Sequence, residues 1–147
     1  MAHPKNTTER QFLGTHIIAE FFGCSHLNDL PVIREALIGA ANACGATILG
    51  THFHTFEPQG LTGYVLLAES HISVHTWPEY GYAAVDVYTC GLMQTEKAVE
   101  HLREILKADR VEASKIMRGD IKELPDMGSF ICTPSQKAAN KKTFVPK

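Results

Sequence analysis

The sequence lacks the features of several large classes of protein. No apolar stretch among its 147 residues approaches the length of a membrane span. The first residues, MAHPKNTTERQFLG, contain no long apolar segment of the kind found in secretory signals. The net charge is −2, so no excess of basic residues attracts nucleic acid or a membrane surface. We therefore expect a cytoplasmic protein that binds neither nucleic acid nor membrane.

Cysteine is scarce and widely spaced. Cys24, Cys44, Cys90 and Cys132 form no CxxC pair or other close spacing, so in a reducing compartment buried thiols are the default interpretation. The sequence also lacks a phosphate-binding glycine loop and an obvious lysine for a Schiff base. Amine chemistry in this chain would therefore need an electron sink of another kind.

The composition is that of a globular protein, with 44% hydrophobic and 20% charged residues. The length is sufficient for one domain with a proper core. We expect that domain to occupy residues 1–120. Residues 121–147, which are rich in lysine, proline and polar side chains, are expected to form a mobile tail.

Hydrophobic periodicity predicts strands and two helices in the order β-α-β-β-β-α-β. The strands are expected at 13–22, 46–58, 64–70, 71–77, 82–91 and 110–119, with a turn at 59–63 and an interruption at 78–81. The first helix should begin at Asn28 or Asp29 and end at Gly45. The second should span 95–108, with Thr95 as its cap and Val99, Leu102, Ile105 and Leu106 facing inward. This order predicts an α+β fold, a two-layer sandwich in which two helices cover one face of a mainly antiparallel sheet.

Chemically able residues cluster around LLAESHISVHTWPEYGY, residues 66–82. Taken singly, each has a structural interpretation: Ser70 in a hairpin turn, His71 and His75 as surface or core histidines, and Cys90 as a small core residue. A serine hydrolase is a further alternative, although Ser70 lacks the GxSxG elbow and an evident acidic partner.

A metal site is another alternative. His52 and His54 share one face of a strand because side chains alternate with a period of two, and His71 or His75 would complete the ligand set. The HxH pattern is weakly specific.

A longer resemblance discriminates among these alternatives. THFHTFEPQGLTGYVLLAES at 51–70 and HTWPEYGYAAVDVYTCG at 75–91, with GTHIIAEFFGC and CGATI upstream, are similar to the small bacterial and archaeal S-adenosylmethionine decarboxylases. The resemblance runs from about Leu13 to Gly119. It implies a proenzyme that cuts itself between Glu69 and Ser70, giving chains 1–69 and 70–147. It also implies a pyruvoyl group made from Ser70 by ester formation, β-elimination and hydrolysis, with neither pyridoxal phosphate nor a metal.

The resemblance assigns roles by position. Ser70 is the pyruvoyl precursor that forms the Schiff base, His75 takes the α-proton during elimination, and Cys90 returns a proton to the substrate carbon. Thr62, where the bacterial pattern has serine in GVSG, keeps the hydroxyl used in processing. Substrate-binding residues are implied as well. Phe56 stacks on adenine, Glu79 accepts hydrogen bonds from the ribose hydroxyls, and Phe22 is a second stacking partner.

Distance along the chain favours a composite site. Ser70 and His75 are five residues apart, which is about 16 Å in a straight strand, whereas proton transfer needs about 3 Å. Either the chain folds sharply, or the two residues come from different protomers. The family forms homodimers, so we expect Ser70 and Cys90 of one protomer to act with Thr62 and His75 of the other, the cleaved chains remaining associated.

The function implied is decarboxylation of S-adenosylmethionine, which supplies the aminopropyl donor for spermidine. Two alternatives remain open. Arginine or ornithine decarboxylation uses the same pyruvoyl chemistry, and an uncleaved homologue would bind a nucleoside or an active partner subunit as a regulator.

Overall fold

The computed structural model describes residues 11–125. Its elements follow the order β-α-β-β-β-β-α-β, which has one strand more between the helices than the predicted order. Its six strands are β1 (Phe12–Phe22), β2 (Ile48–Thr55), β3 (Leu61–Leu67), β4 (Ser70–Trp77), β5 (Tyr82–Cys90) and β6 (Arg110–Asp120). Its helices are α1 (Leu30–Ala43) and α2 (Thr95–Leu106), and short 3₁₀ turns occupy Pro78–Tyr80 and Ile121–Glu123. Most of the expected tail, and Cys132 with it, lies outside the described residues.

All six strands form one antiparallel sheet in the order β2-β3-β4-β5-β1-β6. The α+β sandwich predicted from the sequence is therefore confirmed. β3 and β4 are joined by the two-residue loop Ala68–Glu69, because Leu67 pairs directly with Ser70. β1 inserts between β5 and β6, so segments from before and after Ser70 alternate across the sheet.

Both helices contribute to a single core. Side chains such as Ile33, Leu37 and Leu102 are fully buried with the inward residues of β3, β4 and β5. Asp29 caps α1, because its carboxylate accepts a hydrogen bond from the N–H of Val32 at 3.3 Å. Pro31 lies in the first turn, where its missing N–H leaves no bond unmade.

Three local predictions were wrong. Thr95 is the first residue of α2, and Gln94 occupies the cap position. Ile105 is 38% exposed, since the buried face of the helix follows Ala98, Leu102 and Leu106. The turn predicted at 59–63 is shorter, because β3 begins at Leu61 and so includes Thr62.

The face of the sheet opposite the helices, here called the open face, is not covered by the described residues. Alternation along the strands puts on it His16, Ile18, Thr62, Tyr64, Leu66, His71, Ser73, His75, Trp77, Asp86, Tyr88 and Ile116. Several of these are large apolar side chains that are more than 40% exposed. Within residues 11–125, neither helix has the length and apolar character needed to span a bilayer.

Candidate active site

Ser70 occupies an unusual backbone position. It is the first residue of β4, directly after the tight turn at Ala68–Glu69. Its φ is 149°, a positive value that residues with a side chain rarely adopt. Positive φ in such residues costs energy and is concentrated at functional sites. The Glu69–Ser70 peptide therefore lies at a strained point between two central strands.

The carbonyl of Glu69 is held by a neighbouring strand. The backbone N–H of Cys90 donates to this oxygen at 2.8 Å, which brings the end of β5 against the Glu69–Ser70 peptide. The thiol of Cys90 is exposed. The Glu69 side chain points to another anchor: its carboxylate accepts from the N–H of Thr47 at 3.0 Å, and this bond lowers its pKa. Ser70, Glu69 and Cys90 thus form one group, called here the hairpin end.

Thr62 and His75 form the second group. Thr62 Oγ1 lies 3.0 Å from His75 Nδ1, a hydrogen-bond distance, because the two residues are directly paired across β3 and β4. Both line a cleft of about 310 Å³. The cleft also contains Phe56, which is 50% exposed, and Glu79, whose carboxylate accepts from Gln59 Nε2 at 3.3 Å. The structure thus brings Thr62, His75, Phe56 and Glu79 together, at what we call the cleft end.

Phe22 lies apart from this cleft. Its ring packs 5.7 Å from the ring of Tyr82, which in turn packs 5.4 Å from Trp77 at the cleft wall. Arg110 lies 4.1 Å over the Phe22 ring. Within one chain, Phe22 and Phe56 do not face a common space, and the stacking role of Phe22 stays a prediction.

The two ends are separated along β4. Ser70 and His75 lie in one uninterrupted strand of eight residues. At about 3.3 Å per residue, their Cα atoms are about 16 Å apart. The chain therefore does not fold sharply between the two residues, and action between two protomers stays a prediction.

A third polar group lies between the two ends, on the open face. Asp86 accepts hydrogen bonds from His16 Nε2 at 2.6 Å, from His71 Nε2 at 2.9 Å and from the hydroxyl of Ser73. Burial raises the pKa of this carboxyl, but the bonds from Ser73, His16 and His71 outweigh it, so that the pKa is lowered overall. Asp86 is therefore ionised at neutral pH and joins β1, β4 and β5.

This group resembles a metal site in composition. Ligand atoms of His16, His71 and Asp86 lie within 4.8 Å of one another, and no other such group occurs in residues 11–125. Arg118 Nη1 lies 3.0 Å from His16 Nδ1. Because a guanidinium only donates, Nδ1 must accept, and the ring proton lies on Nε2, facing Asp86. A hydrogen-bonded network therefore explains the geometry without a metal ion.

His52 and His54 do not join this group. Their rings pack against Tyr64 at 6.2 Å and Phe56 at 4.7 Å, respectively. The metal set considered from the sequence is therefore not assembled in the described structure. The trio that does converge includes Asp86, a charged residue inside the apolar run YAAVDVYTC. That charge was the available signal, and sequence reasoning missed it.

The family of the chain follows from comparison with known proteins. Residues 15–119 match the family model described as S-adenosylmethionine decarboxylase. The chain belongs to this family.

Relatives of the chain in the S-adenosylmethionine decarboxylase family agree with this match. Two are named S-adenosylmethionine decarboxylase proenzyme. The protein from Methanococcus vannielii is 50% identical over 117 residues, which cover 76% of this chain and 96% of the relative. The protein from Thermosipho africanus is 45% identical over 115 residues, covering 76% and 88%. The crystal structure of the adenosylmethionine decarboxylase from Aquifex aeolicus VF5 has a TM-score of 0.72 and 39% identity, covering 79% of this chain and 98% of that one.

The other cysteines of this S-adenosylmethionine decarboxylase family member differ from Cys90. Burial and the nearby charge of Asp109 raise the pKa of Cys24 to about 11. Burial also raises the pKa of Cys44, which is almost wholly enclosed. Among the three cysteines of the described region, Cys90 is the exposed thiol and lies at the hairpin end.

Proposed function

We propose that the chain is a self-cleaving, pyruvoyl-dependent S-adenosylmethionine decarboxylase that works as a homodimer, with the cytoplasmic location expected from composition. The observation that carries the proposal is the hairpin end, where a strained Ser70 follows a carbonyl held by the N–H of Cys90. The relatives are named as proenzymes of this decarboxylase, which supports both the cleavage and the substrate.

Cleavage begins with attack of Ser70 Oγ on the carbonyl carbon of Glu69. The Oγ–C bond forms, the C–N bond to Ser70 breaks, and the hydroxyl proton passes to the nitrogen, which leaves an ester. Negative charge develops on the Glu69 oxygen during the attack. The N–H of Cys90 already donates to that oxygen at 2.8 Å, so it stabilises the charge without reorganisation.

Elimination and hydrolysis complete the processing. A base removes the α-proton of residue 70, the Cβ–Oγ bond breaks, and Glu69 departs as a carboxylate. Water then replaces the nitrogen and releases ammonia, leaving a ketone. His75 is suited to be the base because Thr62 fixes its ring at 3.0 Å. Since His75 of the same chain is about 16 Å away, we assign this step to His75 of a second protomer.

The cut products remain associated because the sheet interlocks them. β4, from the second product, forms six residue pairs with β3, from the first. β1, also from the first product, pairs with β5 and β6 from the second. Opening the two-residue turn breaks none of these ladders. Separation would expose the shared core.

The hairpin end fits the group that Ser70 would become. Residue 70 begins a strand at a sharp turn, so its new terminus stays anchored by β4 while the Glu69 side is released. When formed, the pyruvoyl group supplies a ketone that accepts the substrate amine and takes up electrons as carbon dioxide leaves. Cys90, exposed beside it, returns a proton to the substrate carbon.

The cleft end supports a nucleoside substrate. Phe56 presents half of its surface to the cleft, and Glu79 offers carboxylate oxygens on the same wall. A flat ring suits adenine, and paired oxygens suit the two ribose hydroxyls. Arginine and ornithine contain neither group, and the comparisons favour neither them nor an uncleaved regulator. Decarboxylated S-adenosylmethionine would then serve as the aminopropyl donor for spermidine.

A second copy on the open face would bring the ends together. In a two-fold dimer, the midpoint between an atom and its symmetry mate lies on the axis. If Ser70 of each protomer meets His75 of the other, the axis must therefore pass above the midpoint between Ser70 and His75 of one chain. That point is over Ser73 and its partner Asp86. Exposed Ile18, Tyr64 and Ile116 on this face provide apolar contact area.

The test is the intact mass of the purified protein under denaturing conditions. Fragments of residues 1–69 and 70–147 are expected, the second carrying a group that borohydride reduces. Ser70→Ala should remain whole, while Ser114→Ala, a serine change on β6, should cleave normally. Carbon dioxide should then be released from S-adenosylmethionine and from neither arginine nor ornithine. An uncut chain that decarboxylates at full rate would refute the proposal.

A further inference from the structure

One buried hydroxyl group at the hairpin end lacks a partner. Thr89 is fully buried, and its Oγ1 makes no hydrogen bond to any described residue. No other buried side-chain oxygen or nitrogen in residues 11–125 is left in this state. Native proteins satisfy nearly all such groups, so an exception calls for a physical explanation.

The other buried threonines show the usual arrangement. Thr76 Oγ1 donates to the carbonyl of Leu27 at 2.8 Å and accepts from the N–H of Leu61 at 2.9 Å. Thr95 Oγ1 donates to Glu96 Oε2 at 3.2 Å. The fold therefore supplies partners to buried hydroxyls elsewhere, and it withholds one at Thr89.

Thr89 lies directly opposite Ser70. The two residues are paired across β4 and β5. Hydrogen-bonded and non-hydrogen-bonded pairs alternate along two antiparallel strands. The adjoining pair, Glu69 and Cys90, is a hydrogen-bonded pair, because the N–H of Cys90 donates to the carbonyl of Glu69. Ser70 and Thr89 therefore form the closer, non-hydrogen-bonded type of pair, in which Cα atoms approach to about 4.5 Å. The unpaired hydroxyl is thus next to the residue that would be transformed.

Cleavage changes what residue 70 offers to a neighbour. Before cleavage, Ser70 has its own N–H and O–H, both donors. Afterwards both are gone, and residue 70 presents two adjacent carbonyl oxygens, which only accept. The buried hydroxyl of Thr89 has a proton that it does not use in the uncut chain, and residue 70 can accept a hydrogen bond from it after cleavage.

We propose that Thr89 is a binding residue for the carbonyl group formed at position 70, its hydroxyl held unpaired in the uncut chain and donating to that group after cleavage. This inference rests on the proposed function. The hydrogen bond fixes the orientation of the ketone and polarises it toward amines.

The proposal predicts that Thr89→Val is harmless in the uncut chain and harmful in the cut chain. In the uncut chain, Thr89→Val replaces an unsatisfied hydroxyl by a methyl of similar shape, so stability should be equal or higher. In the cut chain, the same change removes the donor. Thr76→Val is the matched control for stability, because it removes a hydroxyl that makes two bonds.

The first experiment measures thermal unfolding in a Ser70→Ala background, where no cleavage occurs. Thr89→Val is expected to melt at or above the parent temperature and Thr76→Val below it. A clear fall for Thr89→Val would show that its hydroxyl has a structural partner, which would overturn the inference. This outcome does not depend on the proposed function.

The second experiment uses the cleaving chain. Thr89→Val should yield the two fragments within about twofold of the parent rate. Its carbonyl should react with phenylhydrazine about tenfold more slowly, and kcat should fall about tenfold with KM little changed. Thr89→Ser should restore both values. Unchanged hydrazine reactivity and kcat in Thr89→Val would overturn the inference. Absence of a hydrazine-reactive fragment from the unsubstituted chain would instead refute the proposed function.

Discussion

The hairpin end and the cleft end differ in how the fold holds their functional groups. At the hairpin end, the backbone positions the reacting groups: Ser70 has a positive φ, and the N–H of Cys90 donates to the carbonyl of Glu69. At the cleft end, side chains position the functional groups: Thr62 orients His75, while Phe56 and Glu79 line the same cleft. In the proposed function, the hairpin end serves bond breaking in the backbone, the cleft end serves recognition and proton transfer, and both are required.

The two ends are kept apart by the same strand that contains them both. β4 is uninterrupted from Ser70 to Trp77, so Ser70 and His75 of one chain are separated by about 16 Å. Under the proposed function, association of two copies is then required for processing. The following changes are designed to separate the contributions of the two ends.

Cys90→Ala should have the largest effect on turnover. Loss of the proton donor is expected to lower kcat on the order of a hundredfold or more. Cleavage should be affected less, since the backbone N–H at position 90 remains. Initial-rate kinetics and intact mass measure the two steps separately. Cys24→Ala is the matched control, and a Cys90→Ala enzyme with ordinary kcat would remove the thiol from the mechanism.

Thr62→Val tests the cleft end during processing. The isosteric change removes the hydroxyl 3.0 Å from His75 Nδ1, so the ring loses its orientation and cleavage should slow about tenfold. Thr62→Ser keeps the hydroxyl and should cleave near the normal rate. Time courses of fragment formation provide the measurement. Equal rates for all three chains would contradict the role assigned to Thr62.

Phe56→Ala tests substrate recognition at the same end. Losing the exposed ring should raise KM for S-adenosylmethionine about tenfold, with a smaller change in kcat. Phe56→Trp retains a stacking surface and serves as the control. A variant with altered kcat and unaltered KM would indicate that the ring acts on the reaction centre instead.

Asp86→Asn should give the smallest effect, a loss of stability at neutral pH that becomes smaller in acid. Because the pKa of Asp86 is lowered in the folded chain, its contribution to stability is present above the ordinary value of 3.8 and is lost as the pH falls through the lowered pKa. Urea unfolding is measured at falling pH for two Ser70→Ala chains, one with Asp86 and one with Asp86→Asn. The urea midpoint of the Asp86 chain should fall by roughly 0.5 M more than that of the Asp86→Asn chain. Parallel curves would show that the hydrogen bonds to Asp86 do not favour its charge.

Local patterning was sufficient to predict the fold. Alternating residues in β4 and β5 predicted strands, and Asp29 with Pro31 predicted the start of α1. The errors occurred where tertiary contacts decide, as at Ile105. The turn before β3 was predicted too long because QGLTG has the composition of a loop, yet strand pairing includes Thr62.

The site was predicted less completely. The family resemblance pointed to Ser70, His75 and Cys90, and strand spacing predicted about 16 Å between Ser70 and His75 if the strand is straight. The Asp86 network and the unpaired hydroxyl of Thr89 were not predicted. Both depend on which residues face each other across strands distant in sequence, and a single sequence does not specify that register.

Complementation tests the central claim most directly. A Ser70→Ala chain and a His75→Ala chain should each remain uncut when produced alone. Co-expressed in equal amounts, they should form mixed dimers that contain one site with both Ser70 and His75. Mass spectrometry should then find cut products from about half of the His75→Ala chains, or about a quarter of all chains, and none from the Ser70→Ala chains. Mixed dimers in which both chains stay whole would contradict processing between protomers.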